Sequence, residues 1–554
     1  MKFRWYVGLY FINLLVLVGI GSLEEYPGYM DADYYYASGL RIATEESWSE
    51  PFLWNYLADP DVLPQPGFTY WMPLAGVLSA AGIYLTGIEN FWAGRLIFLL
   101  LAAVISPLSA IMAQTFISNR WAGLLAGFLA IFSGFYLVYL PNTETFSIYM
   151  ILGALMFLII QRMQKDTGDP SPHDDISVSG SDEHLNYRSP YWIYFSGGII
   201  AGLMYMARVD GMIWLLVFYS AIILQTLVFY PKKKIPAGRW SQSTFWLASF
   251  LCLAGFLVVS GPWFIRNWGT FGTLFAPGST KTFWLTRYDE LFIFPSSLLT
   301  FDRWFEAGLG PIFQARLWAL GQNLVSMFIV QGGIFLFPLL ILGLWAQRKD
   351  WRVPIGVLGW LVTFLVMTFV FPFQGARGGF FHAGAGYQVL IWALIPVGLN
   401  KFIQWGRQKR DWKSDSALSK FAFGISGLAI VVTGIVTYQK LSNSSGPVSA
   451  WGSKERAYIA VEAYLQEIGS LPDTVVLVNN PPGYYAVTGR SVIVIPDGDI
   501  EMTLAAANKF NAEFLILDRN YPRGLKEFFD SPGDFPGMSY LETISDMHIY
   551  SLTQ

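Results

Sequence analysis

The chain has 554 residues, of which 54% are hydrophobic, 17% aromatic and only 14% charged, and its net charge is −3. Soluble proteins carry about a quarter charged residues, so the composition excludes an ordinary soluble enzyme and a disordered chain, and the lack of a basic excess excludes a nucleic-acid binder. One cysteine, Cys252, and four histidines rule out an internal disulfide, a cysteine metal cluster and a histidine-rich centre, which leaves a polytopic membrane protein.

A membrane helix needs roughly 20 apolar residues. Such runs occur at 5–22, 92–115, 121–140, 146–163, 191–207, 212–230, 243–264, 324–345, 353–373, 384–403 and 421–438. A further run, 69–86, is decided by charge. Lys and Arg collect in inside loops. Here they gather at Lys2 and Arg4, at Arg120, at Arg162, Lys165 and Arg188, at 232–239, at Arg348, Lys349 and Arg352, and from Lys401 to Lys420. These clusters share one side only if 69–86 does not cross, and Trp71, Pro73 and Tyr84 suit a helix lying in the outer interface. The expectation is therefore eleven spans in the cell membrane, with the N-terminus inside and the C-terminus outside. The first run is read as a retained span because no small-residue cleavage site follows it.

In chain order, the first outside segment is 23–91. Its early part is acidic and contains Gly28-Tyr29-Met30-Asp31-Ala32-Asp33-Tyr34-Tyr35. A carboxylate at that surface can act as a general base, and Asp31-x-Asp33 has the spacing of a metal-binding pair or of a solvated loop. Glu144 sits in the short turn Pro141–Phe146 on the same face. The polar segment 164–190 is an inside loop, so its two histidines carry little weight. Arg208 and Asp210 lie in the hinge Ala207–Gly211, either as a structural pair or as a ligand site. Arg266 ends the seventh span in Gly261–Trp268, where it can grip a phosphate or anchor the span. Arg377 and His382 precede the tenth span.

The tail, 441–554, changes character. Thr474–Val478, Ser491–Ile495, Ala512–Leu517 and His548–Leu552 read as short strands. Asp499 caps a helix to about Phe510, and Gly524–Phe529 forms a short helix. Asn479-Asn480-Pro481-Pro482-Gly483 is turn chemistry. The fold class is mainly α and polytopic: a membrane module at 1–440 and a small extracytoplasmic α/β domain at 441–554.

These motifs resemble those of the GT-C glycosyltransferases, in particular family 39, the dolichyl-phosphate-mannose protein mannosyltransferase and aminoarabinose-transferase type. Asp31-Ala32-Asp33-Tyr34-Tyr35 stands where that family has an Asp-Glu pair followed by an aromatic, with Ala32 replacing Glu. Gln65-Pro66-Gly67-Phe68-Thr69-Tyr70-Trp71 resembles the segment before its juxtamembrane helix. Glu144 takes the place of the second acidic residue. Arg208-Val209-Asp210-Gly211 and Pro262-Trp263 through Arg266-Asn267 resemble two further motifs.

The resemblance implies inverting transfer of a sugar from a polyprenyl-phosphate donor to a lipid, glycan or protein acceptor at the outer face. Asp31 or Asp33 would be the base, with Asp31 favoured, and Glu144 would orient the base or the acceptor. Arg208, Asp210, Arg266, Arg377 and His382 would bind substrate, the phosphate leaving near Arg266. No cofactor is expected, although a divalent metal at Asp31 and Asp33 is compatible with the pattern. The competing readings are a transporter or lipid flippase, which should show repeated spans with polar breaks at mid-membrane, and a non-catalytic scaffold.

Overall fold

A computed structural model describes residues 1–166, 190–229, 240–442 and 451–553. Most of the polar loop 164–190 and the basic cluster at 232–239 lie outside these residues. Among those described, eight helices are long and apolar enough to cross a membrane, and nine if a bent pair counts as one. They include α1 (Phe3–Gly21), α4 (Phe91–Phe116), α6 (Phe146–Asp166) and the long helix α8 (Phe380–Arg410).

One sequence run forms a shorter rod than expected. Run 121–140 yields α5 (Arg120–Ile131), because the chain leaves helical geometry at Phe132 and coils through turns to Glu144. Run 191–207 yields the 16-residue α7 (Trp192–Ala207). Run 324–345 is not one straight span. Helical chain from Leu309 to Gln331 meets Ile334–Ala346 at 79°, and the break falls on Gly332-Gly333, where Gly333 takes the left-handed region (φ 61°). Run 69–86 becomes α3 (Leu74–Thr86), which at 1.5 Å per residue is about 20 Å long and too short to cross alone.

Some polar groups inside the bundle bond across helix pairs. Asn13 of α1 donates to the Ala102 carbonyl of α4 at 3.0 Å, and the Ser106 hydroxyl of α4 donates to the Gly127 carbonyl of α5 at 2.9 Å. One close approach fixes two helix ends. α6 and α8 cross where Gly153 faces Gly386, and a Cβ added at Gly153 would lie 1.9 Å from the Gly386 oxygen. This crossing brings the leading ends of α6 and α8 together.

The tail folds into an α/β lobe. Its strands are β4 (Val475–Val478), β5 (Val492–Val494), β6 (Ala512–Leu517), β7 (Met538–Ile544) and β8 (Met547–Leu552). The first outer segment contributes β1 (Ser49–Glu50), β2 (Phe52–Leu53) and β3 (Gln65–Pro66). The main sheet has the order β2-β5-β4-β6-β8-β7, with β2, β5, β4 and β6 parallel. Phe52 thus pairs with Val492 of the tail, and the sheet is shared between the two ends of the sequence. Asp499 caps the helix Ile500–Phe510 by accepting from the Met502 amide, as the sequence predicts. Asn480 does more than turn the chain: it caps a helix, Pro481–Thr488, with its side chain on the Gly483 amide. A helix at Ser453–Glu467 and strand β7 complete the lobe.

Candidate active site

The acidic motif opens α2 (Met30–Glu45), with Asp31 and Asp33 in its first turn, where the helix dipole favours carboxylates. Two residues along an α-helix turn through about 200°, so the two side chains leave in nearly opposite directions. Asp31 opens onto a cavity of about 740 Å³ and keeps 29% side-chain exposure. Asp33 is fully buried on the other side, where it accepts from Asn480 of the tail at 2.7 Å. Burial and the Glu455 carboxylate hold Asp33 well above the usual carboxylate range. The pair therefore does not converge on one ion or one substrate.

What converges is Asp31, Glu144 and His382, whose ligand atoms lie within 4.8 Å of one another. His382 Nε2 is 3.9 Å from Asp31 Oδ2 and 3.7 Å from Glu144 Oε2. The Phe146 ring, at the start of α6, lies against the imidazole at 4.3 Å between centroids. His382 Nδ1 is 3.1 Å from the Gly378 carbonyl, which can only accept, so Nδ1 carries the hydrogen. Nε2 is then the ring nitrogen that faces both carboxylates.

Glu144 is buried. Its Oε1 accepts from the Thr145 amide and hydroxyl at 2.6 and 2.9 Å, while Oε2 has no hydrogen-bond partner among the described residues. Burial alone would raise Glu144, but His382, the Thr145 amide and Arg208 outweigh it and hold the carboxylate below its usual range. Asp31 moves the other way. Burial, then the like charge of Glu144, push it up to about 6, against the opposing pull of His382 and Arg208. The trio's donor set suits a divalent cation: two carboxylates and an imidazole whose other nitrogen is fixed by a backbone carbonyl.

The cavity wall carries Arg208, whose Nε donates to Asp210 at 2.9 Å, and Arg377, whose guanidinium lies 4.6 Å from the Tyr288 ring centroid. Arg377 reaches the wall through a kink at Gly378, whose φ of 125° only glycine takes readily. Arg266 is elsewhere. Its Nη2 donates to the Gly67 carbonyl at 2.6 Å, and it does not line the cavity. It braces the turn whose next residue, Phe68, donates its amide to the buried Glu50. Residues without a role in the sequence reading also form the wall: Tyr70, Trp71 and Tyr288, and Asp497, Asn520 and Arg523 from the tail. Nothing local marks the tail residues; they reach the site only because each follows a strand of the shared sheet.

No protein-family model matches the chain, and no curated protein matches it in sequence. Solved structures do. The Archaeoglobus fulgidus oligosaccharyltransferase crystallised with zinc and sulfate aligns at TM-score 0.55 and 13% identity, covering 97% of this chain and 72% of its own. The same enzyme tethered to an acceptor peptide aligns at TM-score 0.53 and 13% identity over 100% and 74%. ArnT of Cupriavidus metallidurans bound to undecaprenyl phosphate aligns at TM-score 0.53 and 11% identity over 100% and 98%. These neighbours are GT-C glycosyltransferases. The chain has the GT-C fold.

Proposed function

We propose that the protein is an integral membrane glycosyltransferase that takes a sugar from a polyprenyl-phosphate-linked donor at the outer membrane face. The observation that carries this reading is the Asp31 carboxylate, open to a cavity whose wall also holds Arg208 and Arg377. Asp31 accepts the proton of the acceptor hydroxyl or amine as that atom bonds to the anomeric carbon. The bond from the anomeric carbon to the phosphate oxygen breaks, and its electron pair leaves on the phosphate. Arg377 and Arg208 hold that developing charge. A single displacement inverts the anomeric centre. Glu144 and His382 set the basicity of Asp31.

One observation favours a second reading of the trio. Glu144 Oε2, which has no hydrogen-bond partner among the described residues, and His382 Nε2 lie with an Asp31 oxygen within 4.8 Å of one another. A divalent cation held by Asp31, Glu144 and His382 would polarise a substrate oxygen when bound. The membrane module at 1–440 and the tail lobe at 441–554 act as one catalytic unit in either reading.

The test is release of polyprenyl phosphate by the purified protein from a polyprenyl-phosphate sugar. Asp31→Asn is expected to abolish turnover while keeping polyprenyl-phosphate binding, and full activity of that variant overturns the assignment. Turnover lost on chelation and restored by a divalent cation selects the second reading.

A further inference from the structure

The cavity is built from two halves. One is the membrane module with Asp31, Arg208 and Arg377. The other is the tail, and it meets the cavity in a specific way. β4, β5 and β6 are parallel, and the residues that follow their carboxyl ends all line the cavity: Asn479 after β4, Ile495 and Asp497 after β5, Asn520 and Arg523 after β6. In open parallel sheets ligands bind at the carboxyl ends of the strands. This wall is held rigidly against Asp31. β2 of the first segment pairs with β5, and Asn480, adjacent to Asn479, donates to Asp33, two residues from Asp31.

The chemistry of the wall selects among acceptors. A peptide added as a strand needs a free sheet edge. None opens here, because β4, β5 and β6 are each flanked on both sides by other strands. Asn520 and Arg523 stand at the exposed rim of the cavity, where they can meet a polar acceptor. Planar amide and guanidinium groups match vicinal hydroxyls, which accept and donate in one plane. The same cavity is lined by the aromatic side chains of half-buried Tyr70 and Trp71 and by Tyr288. Polar groups for the rim of a sugar ring and aromatic groups for its C–H face occur in one cavity.

We infer that the carboxyl ends of β4, β5 and β6 form the acceptor subsite and that the acceptor is a glycan, bound through ring hydroxyls by Asn520 and Arg523. This rests on the transferase reading and specifies its acceptor. The experiment is saturation-transfer NMR on the full chain in lipid nanodiscs, with methyl glycosides of glucose, galactose, mannose and N-acetylglucosamine as probes. At least one glycoside is expected to take up saturation, with its ring protons strongest. That signal should fall roughly tenfold in Asn520→Ala and in Arg523→Ala. Persistence of the signal in both variants overturns the subsite. No signal from any glycoside, or signal only from an Asn-, Ser- and Thr-containing peptide run in parallel, overturns the glycan assignment. Binding of polyprenyl phosphate to the same wild-type sample separates the two readings. Phosphate binding without glycoside binding removes this inference alone; glycoside binding without phosphate binding removes the donor reading instead.

Discussion

Gly153 lies nine residues along the chain from Glu144, yet it sets the geometry of the catalytic trio. Gly153→Ala places a methyl group 1.9 Å from the Gly386 carbonyl oxygen, where an ordinary contact begins at 3.4 Å. The obstacle is backbone, so α6 and α8 must part by about 1.5 Å. Glu144 precedes α6 and His382 lies in the first turn of α8, so the parting widens their 3.7 Å separation and changes the charge arrangement around Asp31. A misplacement of about 1 Å costs up to about 100-fold in rate. The expected result is a fall of roughly 10- to 100-fold in kcat for polyprenyl-phosphate-sugar turnover, with polyprenyl-phosphate affinity changed much less. Gly427→Ala is the control, because nothing lies within 4 Å of its added Cβ. Wild-type turnover in Gly153→Ala, or an equal loss in Gly427→Ala, refutes the reasoning.

Four further outcomes are expected. Asp31, raised to about 6, becomes the competent base only as pH rises through that value, so kcat/KM of the free enzyme climbs to a plateau above about pH 6. Glu144→Gln removes a like charge and moves that limb to lower pH; a limb that does not move detaches Glu144 from Asp31. Arg377→Ala weakens polyprenyl-phosphate binding by roughly tenfold or more, whereas Arg266→Ala leaves that Kd near wild type and instead loosens the Gly67 turn in hydrogen exchange. In the tail, Arg490 is 1% exposed and bidentate to Glu462, so Arg490→Met destabilises the lobe by about 3–5 kcal/mol, read as lost hydrogen-exchange protection of β4 and β5. Because Cys252 is buried, Ile88→Cys and Ser118→Cys report topology: 88 is expected to label from outside and 118 from inside, and outside labelling at 118 breaks the eleven-span arrangement.

The membrane helices were legible because their signal is local: apolar length, and charges sorted by sign. Where a run was misjudged, the cause was backbone chemistry that hydropathy ignores. Gly332-Gly333 bends the chain through 79° inside a mostly apolar stretch, and α5 ends at Phe132, just before Ser133-Gly134, within a run whose mean hydropathy stays high. In the candidate site, Asp31, Glu144, Arg208, Arg377 and His382 could be named because charged groups are rare here. Their grouping could not. Asp31 and Asp33 look alike in sequence, and the pitch of a helix that begins at Met30 separates them. Arg266 looks like a phosphate ligand until its hydrogen bond to Gly67 is seen. Asn520 and Arg523 gave no signal, since the contact they make depends on pairing between strands at opposite ends of the chain.

That pairing has a consequence for biogenesis. Phe52 and its partner Val492 are 440 positions apart. At 5–20 residues per second, the ribosome takes about 20–90 s to deliver the second strand after the first. Throughout that interval the acidic segment waits as an incomplete surface, without β5 to align it or Asn480 to hold Asp33. The nascent chain can insert every helix and still lack a finished catalytic pocket. Closing the sheet comes late in assembly, so the cavity is complete only once the tail lobe has been synthesised and has reached the first segment.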